Sequence, residues 1–566
     1  MTKQEVSILI FLAKKVAAMR YLKNVHLSQT KPITITMHHP QSRPLLSLLS
    51  FCARLVILAA GFSVISSSLL AAEEQTGKVG KPIVNNASLI PPYKPDAEVK
   101  MEGLSPDWVK TLIMAQFRIE TATPEGTFAS ATKVLDHYAE MGVNGLWINP
   151  VYERDPASKT TGFNGYGNYG PNTIDSALTG SNNIDESFNT VKAFVDEAHK
   201  RNIRVIFDIV TWGVPKGSPL EKKHEEWFMT DGVKGEMWGG WKFNWANPEL
   251  KEWFVEASVN FIRRTGADGF RCDLEPAISG YDVFAEVRKR LYEEGRKVII
   301  ITEFANERKN VYDFEQIGVG WEKEYAPEVP PSFFEVGDYF LRGNDIIDSS
   351  KTGKGMGKPA LQDAGEGGKF RYYTFMLASH DSTYDAKATT LNGSRLRMGY
   401  QAVFAPFIPI WNIGEEWHIP YAESPFGKAI YYNKIDWAKL NEPYHRAFFE
   451  DVKKMIRIRR TYPEIFVDFP ENHRDVDITK IEVAGNPLSS YMRSKGGKSI
   501  VVVPNNSATP QKFNVRLPIK LMGVAERDYQ IKDLMNQDTP PILQPAASDV
   551  FSAEVQPDAV GVYLVE

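Results

Sequence analysis

The chain has 566 residues, of which 43% are hydrophobic, so it can bury a large core and is long enough for more than one domain. This composition excludes an intrinsically disordered chain. The first 72 residues hold eight of the 66 basic residues and one of the 70 acidic ones, which leaves 58 basic and 69 acidic side chains, a formal charge of −11, in the remainder. Such acidity argues against nucleic acid as a partner.

The N-terminal region has the pattern of an export signal. Residues 55–72, LVILAAGFSVISSSLLAA, are apolar or small, follow Arg43 and Arg54, and end in small residues. We expect residues 1–72 to be a cleaved leader of an exported protein, periplasmic or secreted, with Met37 as the true start because the preceding segment is long. A single membrane anchor is the alternative, although the apolar stretch is near the lower limit for spanning a bilayer.

One of the two cysteines lies in the expected leader and the other in the rest of the chain. Cys52 lies in the leader, so Cys272 is the only cysteine left to the mature chain, which must then rely on its core rather than on a disulfide. No Cys/His cluster suggests a zinc site. Residues 73–107, rich in Pro, Lys and Gly, predict a linker or an extended segment that wraps onto the next domain.

From Thr111 onward, apolar runs alternate with amphipathic helices, which predicts parallel βα units. Capping residues Asn247 and Gly266 bound one of these helices. An eighth strand is expected between residues 318 and 340, which predicts a (β/α)8 barrel over residues 108–468. The other seven runs with the composition of buried strands are TLIMAQF, GLWI, RVIFDIV, DGFRCD, VIIIT, YYTFMLA and PFIPIW.

The pattern changes after the helix VKKMIRIRRTYPEIF. Short runs typical of strands follow, namely SSYMRS, SIVVVPN, QKFNVRLP and AVGVYLVE, with turn signals at Gly496-Gly497 and Asn505-Asn506 between them. This pattern predicts a C-terminal all-β sandwich domain over residues 469–566.

The run GFRCD places an arginine beside an acid at a strand end. The two-residue period of a strand points Arg271 and Asp273 to one side and Cys272 to the other. A guanidinium beside a carboxylate favours the ionised form, which a nucleophile needs. A structural ion pair is the alternative interpretation.

Three further acids end other apolar runs. Asp208, Glu303 and Asp381 follow different predicted strands, and a barrel of this kind places its chemistry at the carboxyl ends of its strands. The fold can therefore gather acids that are far apart in the chain. The alternative is that they are solvated loop acids.

These runs resemble, in order, the four short sequence regions of the α-amylase superfamily, glycoside hydrolase family 13. The regions are VIFDIV with Asp208, GFRCD with Arg271 and Asp273, ITEF with Glu303, and ASHD with His380 and Asp381. Supporting matches are GYGNYGPNTID with Tyr166, DEAHKRNIRVIFD, FNWANPELKEWF, GEEW and VKKMIRIRRTYP. The resemblance covers roughly residues 110–566.

The resemblance implies a retaining α-glycosidase that acts by double displacement on α-linked glucans, malto-oligosaccharides or related α-glucosides. Asp273 would be the nucleophile and Glu303 the general acid/base, with their carboxyl groups about 5 to 5.5 Å apart. Asp381 would hold the substrate and favour the oxocarbenium-like transition state, with His380 donating to a sugar hydroxyl. The consecutive Ser379-His380-Asp381 is not a hydrolase triad, because neighbours on a strand cannot face one another.

Further binding residues follow from the same resemblance. Asp208 and Arg271 belong to the substrate-binding set, and Tyr166 would be the aromatic platform under the cleaved sugar, unless it packs a Gly-rich loop. Residues 212–247 form a short insertion after the third strand. One or two of its tryptophans could stack on sugars, although a loop this long also needs its own small core. These tryptophans are Trp227, Trp238, Trp241 and Trp245.

The chain departs from the family pattern at several positions. Thr211 and Trp212 replace a familiar Asn-His pair, whose Asn is commonly a calcium ligand. Pro276 and Ala277 replace a Lys-His pair after the nucleophile, and Ser379 stands where Asn usually precedes His-Asp. We therefore expect a specialised member with no cofactor and no calcium at the usual family site. A transglycosylase of the same family and a non-catalytic carbohydrate-binding barrel are the alternatives.

Overall fold

The structure is a computed structural model that describes residues 84–102, 105–154, 165–229, 235–274, 281–302, 336–338, 372–376, 408–417, 434–466, 478–481, 483–486, 490–505, 507–557 and 559–566. The leader expected at residues 1–72 lies outside these ranges. So do Glu303, His380 and Asp381. Within the described ranges, no helix has both the length and the hydropathy needed to cross a bilayer.

Eight parallel strands close into a barrel, as the sequence predicts. They are β1 (Met114–Phe117), β2 (Gly145–Ile148), β3 (Arg204–Val210), β4 (Gly269–Asp273), β5 (Ile299–Thr302), β6 (Val336–Asp338), β7 (Tyr372–Met376) and β8 (Ile408–Asn412). Each strand pairs with its neighbours in the chain, and β8 pairs with β1, so the sheet has no free edge. Seven strands overlap the predicted runs, and β6 falls in the interval expected for the eighth.

The alternation of side chains along the strands divides the core in two. Met114, Trp147, Ile206 and Ile299, from four different strands, pack together in one buried cluster inside the barrel. Cys272 belongs to the larger cluster between the barrel and its helices, so it faces away from Arg271 and Asp273, as the period predicts.

The longer helices cover the outside of the barrel. They are α1 (Leu135–Met141), α2 (Ile184–His199), α3 (Pro248–Thr265), α4 (Tyr281–Glu293) and α5 (Pro443–Thr461). Shorter helical turns span Ile119–Ala122, Phe128–Ala131, Ser176–Thr179, Pro219–Lys223 and Pro463–Phe466. Helix α3 begins at the predicted cap, because the Asn247 Oδ1 accepts from the backbone N–H of Glu249 at 2.8 Å, and it ends before Gly266 at φ +75°.

The segment before β1 packs on the barrel's helices. Asn86 is fully buried, and its Nδ2 donates to the carbonyl oxygens of Met141 at 2.9 Å and Lys453 at 2.8 Å. Further along, the ring of Tyr93 stacks on His199 with centroids 4.1 Å apart. These contacts tie the segment to the last turns of α1 and α2 and to α5.

The insertion after β3 is built around a small antiparallel sheet. Its three strands are Gly213–Pro215, Gly240–Lys242 and Glu236–Met237, with Gly240–Lys242 in the middle. Trp227 is buried, and the ring of Phe228 stacks on that of Phe243 with centroids 5.4 Å apart, so the insertion does have an aromatic core of its own.

The C-terminal region forms the predicted β-sandwich. Its strands are β9 (Ile478–Ile481), β10 (Ser490–Lys495), β11 (Lys498–Asn505), β12 (Gln511–Arg516), β13 (Tyr529–Asp533), β14 (Ile542–Gln544), β15 (Val550–Val555) and β16 (Ala559–Val565). One sheet has six strands in the order β9-β10-β11-β16-β13-β14 and the other has two, β12-β15, all antiparallel. Buried side chains from both sheets, such as Val501 and Val515, form one core.

Candidate active site

The register between β3 and β4 brings two predicted site residues together. Asp208 on β3 lies opposite Arg271 on β4, and Val210 lies opposite Asp273. The side chains of Asp208 and Arg271 have no exposed surface, and that of Asp273 is 8% exposed. The two acids therefore stand at successive levels near the carboxyl ends of neighbouring strands, with the guanidinium between them.

One nitrogen of Arg271 bridges both carboxylates. Nη1 donates to Asp273 Oδ1 at 2.9 Å and to Asp208 Oδ1 at 3.2 Å. Charge-assisted hydrogen bonds of this kind are roughly twice as strong as neutral ones. Because Asp273 is the last residue of β4, its carboxylate is held by the barrel and yet lies at the barrel's mouth.

Asp208 also accepts hydrogen bonds from two aromatic side chains. The Trp147 Nε1 donates to Asp208 Oδ2 at 3.0 Å, and the Tyr166 hydroxyl donates to the same oxygen at 2.5 Å. Asn149 Nδ2 donates in turn to the Tyr166 hydroxyl at 3.1 Å. Asp208 is thus the centre of a buried network, which fixes the guanidinium that holds Asp273.

Tyr166 was predicted as a platform for sugar or as packing for a Gly-rich loop. Its side chain is mostly buried, with 9% of the residue exposed, and its hydroxyl is anchored on Asp208. Its carbonyl accepts from Trp212 Nε1 at 2.9 Å. The structure therefore places Tyr166 beside the acids, with both its polar ends engaged.

Sequence reasoning did not single out Trp147 and Asn149. The alternation along β2 was the available signal for Trp147, since GLWI puts every second side chain into the barrel. Asn149 directly follows β2, so it is another polar residue at a carboxyl strand end. Of the remaining predicted site residues, Glu303, His380 and Asp381 lie outside the described residues.

Two of the positions that depart from the family pattern, Thr211 and Trp212, have structural contacts, whereas Pro276, Ala277 and Ser379 lie outside the described residues. The Thr211 hydroxyl donates to the carbonyl oxygen of Asp273 at 2.8 Å, and Trp212 is fully buried. A hydroxyl and an indole in place of an amide and an imidazole are a poor donor set for calcium, which prefers several carboxylate, amide or carbonyl oxygens. Among the described residues, no three His, Cys, Asp or Glu side chains cluster as metal ligands would.

Carboxylates of the insertion could also supply oxygen ligands for calcium, but two of them have other contacts. Glu221 accepts from Trp241 Nε1 at 3.0 Å, and Glu236 forms an ion pair with Lys216. Asp231 lies outside the described residues. The donor set that the structure does describe therefore does not fit a calcium ion at this place.

Comparison with known proteins agrees with the sequence motifs. No family model matches the chain. Isoamylase SU1 of Zea mays is 32% identical over 168 residues, 26% of this chain and 21% of that protein, and a cyclomaltodextrinase of a Bacillus species is 22% identical over 406 residues, 66% of this chain and 64% of that protein. The sequence similarity therefore agrees with the resemblance of the motifs to the α-amylase superfamily, glycoside hydrolase family 13.

Solved structures of α-amylases share this fold. A noncanonic maltogenic α-amylase AmyB of Thermotoga neapolitana has a TM-score of 0.60 at 18% identity, covering 81% of this chain and 99% of its own. An α-amylase of Geobacillus thermoleovorans, complexed with acarbose, has a TM-score of 0.57 at 17% identity, covering 81% and 98%. The chain spans about a fifth of the length of the first curated relatives it matches, 21% in each.

The buried network predicts a pH dependence of stability. Burial raises the pKa of Asp208 to about 6, against the opposing effects of Arg271 and the two aromatic donors. The folded state thus binds this proton more tightly than the unfolded chain, whose Asp pKa is about 3.9. The stability from this group is full below about pH 4 and is lost as the pH rises through about 6.

We therefore expect the stability of the wild type, relative to an Asp208→Asn variant, to decline from about pH 4 to pH 7 by on the order of 1 to 3 kcal/mol. Equilibrium urea unfolding at several pH values measures this difference. Asp185→Asn, at a side chain that is 79% exposed, is the control and should show no such trend. A difference that stays constant or grows with pH contradicts the account.

Proposed function

We propose that this protein is a retaining α-glycosidase that acts on α-linked glucans, malto-oligosaccharides or related α-glucosides. The observation that carries the proposal is the Asp273 carboxylate at the end of β4, held at 2.9 Å by the buried Arg271. A carboxylate that is ionised, fixed and at the mouth of a barrel suits nucleophilic attack. The relatives' names, isoamylase and cyclomaltodextrinase, favour an α-glucan as the substrate.

The first chemical step forms a glycosyl-enzyme. An oxygen of Asp273 attacks the anomeric carbon as the bond to the leaving oxygen breaks, and the Glu303 carboxyl donates its proton to that oxygen. Asp273 and the sugar then share a covalent ester. In the second step Glu303 takes a proton from water, the water oxygen attacks the same carbon, and the Asp273 carboxylate leaves.

The role of Glu303 is supported by strand register. Thr302, the last residue of β5, pairs with Cys272, the residue before Asp273 on β4. Glu303 is next after Thr302 in the sequence. We assign it the acid/base role on this position and on the ITEF motif, and we assign Asp381 and His380 to holding the substrate on the ASHD motif.

Arg271 and Asp208 prepare the nucleophile. The guanidinium stabilises the Asp273 carboxylate before attack and again when it leaves, because its donors are already in place. Asp208 orients that guanidinium and is itself oriented by Tyr166. The hydroxyl of Thr211 fixes the backbone of Asp273 from the neighbouring strand.

The departures from the family pattern support a specialised member rather than a plain starch-liquefying enzyme. Trp212 fills the position of a sugar-contacting His with a buried indole, and Pro276 and Ala277 remove donors after the nucleophile. A transglycosylase, in which a sugar hydroxyl replaces water in the second step, uses the same residues. Product analysis with a panel of α-linked oligosaccharides separates the two.

We expect Asp273→Asn and Glu303→Gln each to lower kcat by at least about 10² to 10⁴-fold, the usual contribution of such a group. The melting temperature checks that the variants fold, and Asp185→Asn is a carboxylate control on the surface. NMR of the first product should show the retained anomer. Either variant keeping a tenth of wild-type turnover, or an inverted first product, is incompatible with the assigned roles.

We further propose that the enzyme needs no calcium at the site usual for its family. Thr211 directs its hydroxyl to Asp273 rather than offering an amide oxygen to a metal. Exhaustive chelation should therefore leave both activity and melting temperature unchanged, and added calcium should restore nothing. A large loss that calcium reverses, and that replacement of Thr211 abolishes, would overturn the proposal.

Export of the mature protein is a separate proposal. Its support is the basic, then apolar, then small-residue pattern that ends near Ala72. The mature chain should begin near Ala72 or Glu73 in the periplasm or the medium. N-terminal sequencing of the native protein measures this, and an intact leader on a membrane-bound form contradicts it.

A further inference from the structure

Among the described tryptophans, Trp238 stands out by its exposure. Its side chain and backbone expose 54% of their surface, whereas Trp212 beside it is fully buried. Trp238 occupies the turn between the strands Glu236–Met237 and Gly240–Lys242 of the insertion. A single exposed apolar ring is common at a protein surface, so the turn that carries Trp238 and the contacts of its ring matter more than its exposure.

The turn that carries Trp238 is packed tightly against its neighbours. Trp238 has φ +47°, a conformation that bulky residues rarely adopt, and Gly239 follows at φ +83°. At Gly240 a Cβ atom would lie 2.3 Å from the Val214 carbonyl oxygen and 2.6 Å from the Trp212 ring, so the turn is pressed directly on that ring. Strained conformations of this kind persist where the surrounding packing determines them, and they concentrate at functional sites.

A short path of contacts leads from Trp238 to the acids. Its ring meets the Trp212 ring edge to face, with centroids 5.5 Å apart at 87°. Trp212 Nε1 donates to the Tyr166 carbonyl, and the Tyr166 hydroxyl donates to Asp208. Two aromatic residues, Trp212 and Tyr166, therefore connect Trp238 to the buried Asp208.

Other tryptophans of the insertion already have structural contacts. Trp241 donates from Nε1 to Glu221, and the Lys216 ammonium lies 4.3 Å from the centre of its ring. Trp245 donates to the Thr211 carbonyl at 3.1 Å. Trp227 is buried. Trp238 is thus the most exposed tryptophan of this group, because Trp241 and Trp245 are partly buried.

We propose that Trp238 is a stacking platform for a glucosyl unit of a bound α-glucan, beyond the units that flank the cleaved bond. The apolar face of a pyranose ring buries well against an indole, and a rigid ring loses little conformational entropy on binding. The proposal rests on the proposed α-glucan activity and adds a specificity determinant to it. Chains long enough to reach Trp238 are preferred over short substrates.

The kinetic test compares a long and a short substrate. In Trp238→Ala, the ratio of kcat/KM for maltoheptaose to that for an aryl α-glucoside should fall about tenfold, as loss of an aromatic anchor typically causes. The fall should appear in KM, and Trp238→Phe should restore most of it. Tyr292→Ala, which removes a 49% exposed ring from α4, is the control and should leave the ratio unchanged.

A binding test separates this proposal from the proposed function. Calorimetry with maltoheptaose compares Asp273→Asn with Asp273→Asn/Trp238→Ala, so no turnover is needed. About tenfold weaker binding by the double variant supports the platform even if the wild type hydrolyses nothing. Equal affinities, no binding by either variant, or an unchanged kinetic ratio in an active Trp238→Ala overturns it.

Discussion

Two carboxylates share one buried guanidinium at the mouth of the barrel, and the site depends on that shared charge. Arg271 reaches Asp273 at 2.9 Å and Asp208 at 3.2 Å, and both it and Asp208 are closed to water. Removing one partner from a buried ion pair leaves an uncompensated charge and typically costs about 3 to 5 kcal/mol. The three residues must therefore be understood as one unit with a net negative charge. Asp273 is the most exposed member of that unit.

The neighbouring loops depend on this unit in turn. The Tyr166 hydroxyl donates a hydrogen bond to Asp208, and the Tyr166 carbonyl accepts one from the Trp212 indole. These two bonds connect the Gly-rich loop and the insertion to the same carboxylate. Trp212 then supports the turn that carries Trp238. The indole of Trp212 thereby attaches the short insertion to the barrel through protein contacts.

The barrel was predictable because its strands are continuous apolar runs that parallel pairing buries on both faces. The sequence places β6 only somewhere between residues 318 and 340, because a strand of three residues has too short a hydrophobic pattern to be located. Four strands of the sandwich were not singled out: β9, β13, β14 and β15. β14 is largely exposed, and β15 has no continuous apolar run, because exposed and buried residues alternate through VFSAEV.

The sequence was enough to identify several residues of the candidate site, but not most of the hydrogen bonds between them. The period of GFRCD was enough to place Arg271 beside Asp273, because both lie on one strand. The hydrogen bond from Tyr166 to Asp208 joins a loop to a strand 42 residues away, and the closed fold alone brings them together. The position of Trp238 likewise follows from how one short sheet folds back on Trp212, and Trp227 is buried against His224 and Trp253.

The claim that Asp273 forms a covalent bond with the sugar is tested most directly by trapping that bond. A ring-fluorinated α-glucosyl fluoride slows both steps, while its good leaving group restores the first, so the glycosyl-enzyme accumulates. Mass spectrometry of the digested protein should then show one added sugar on the peptide that contains Asp273. An adduct on another acid, or steady turnover of this reagent with no adduct on Asp273, contradicts the account.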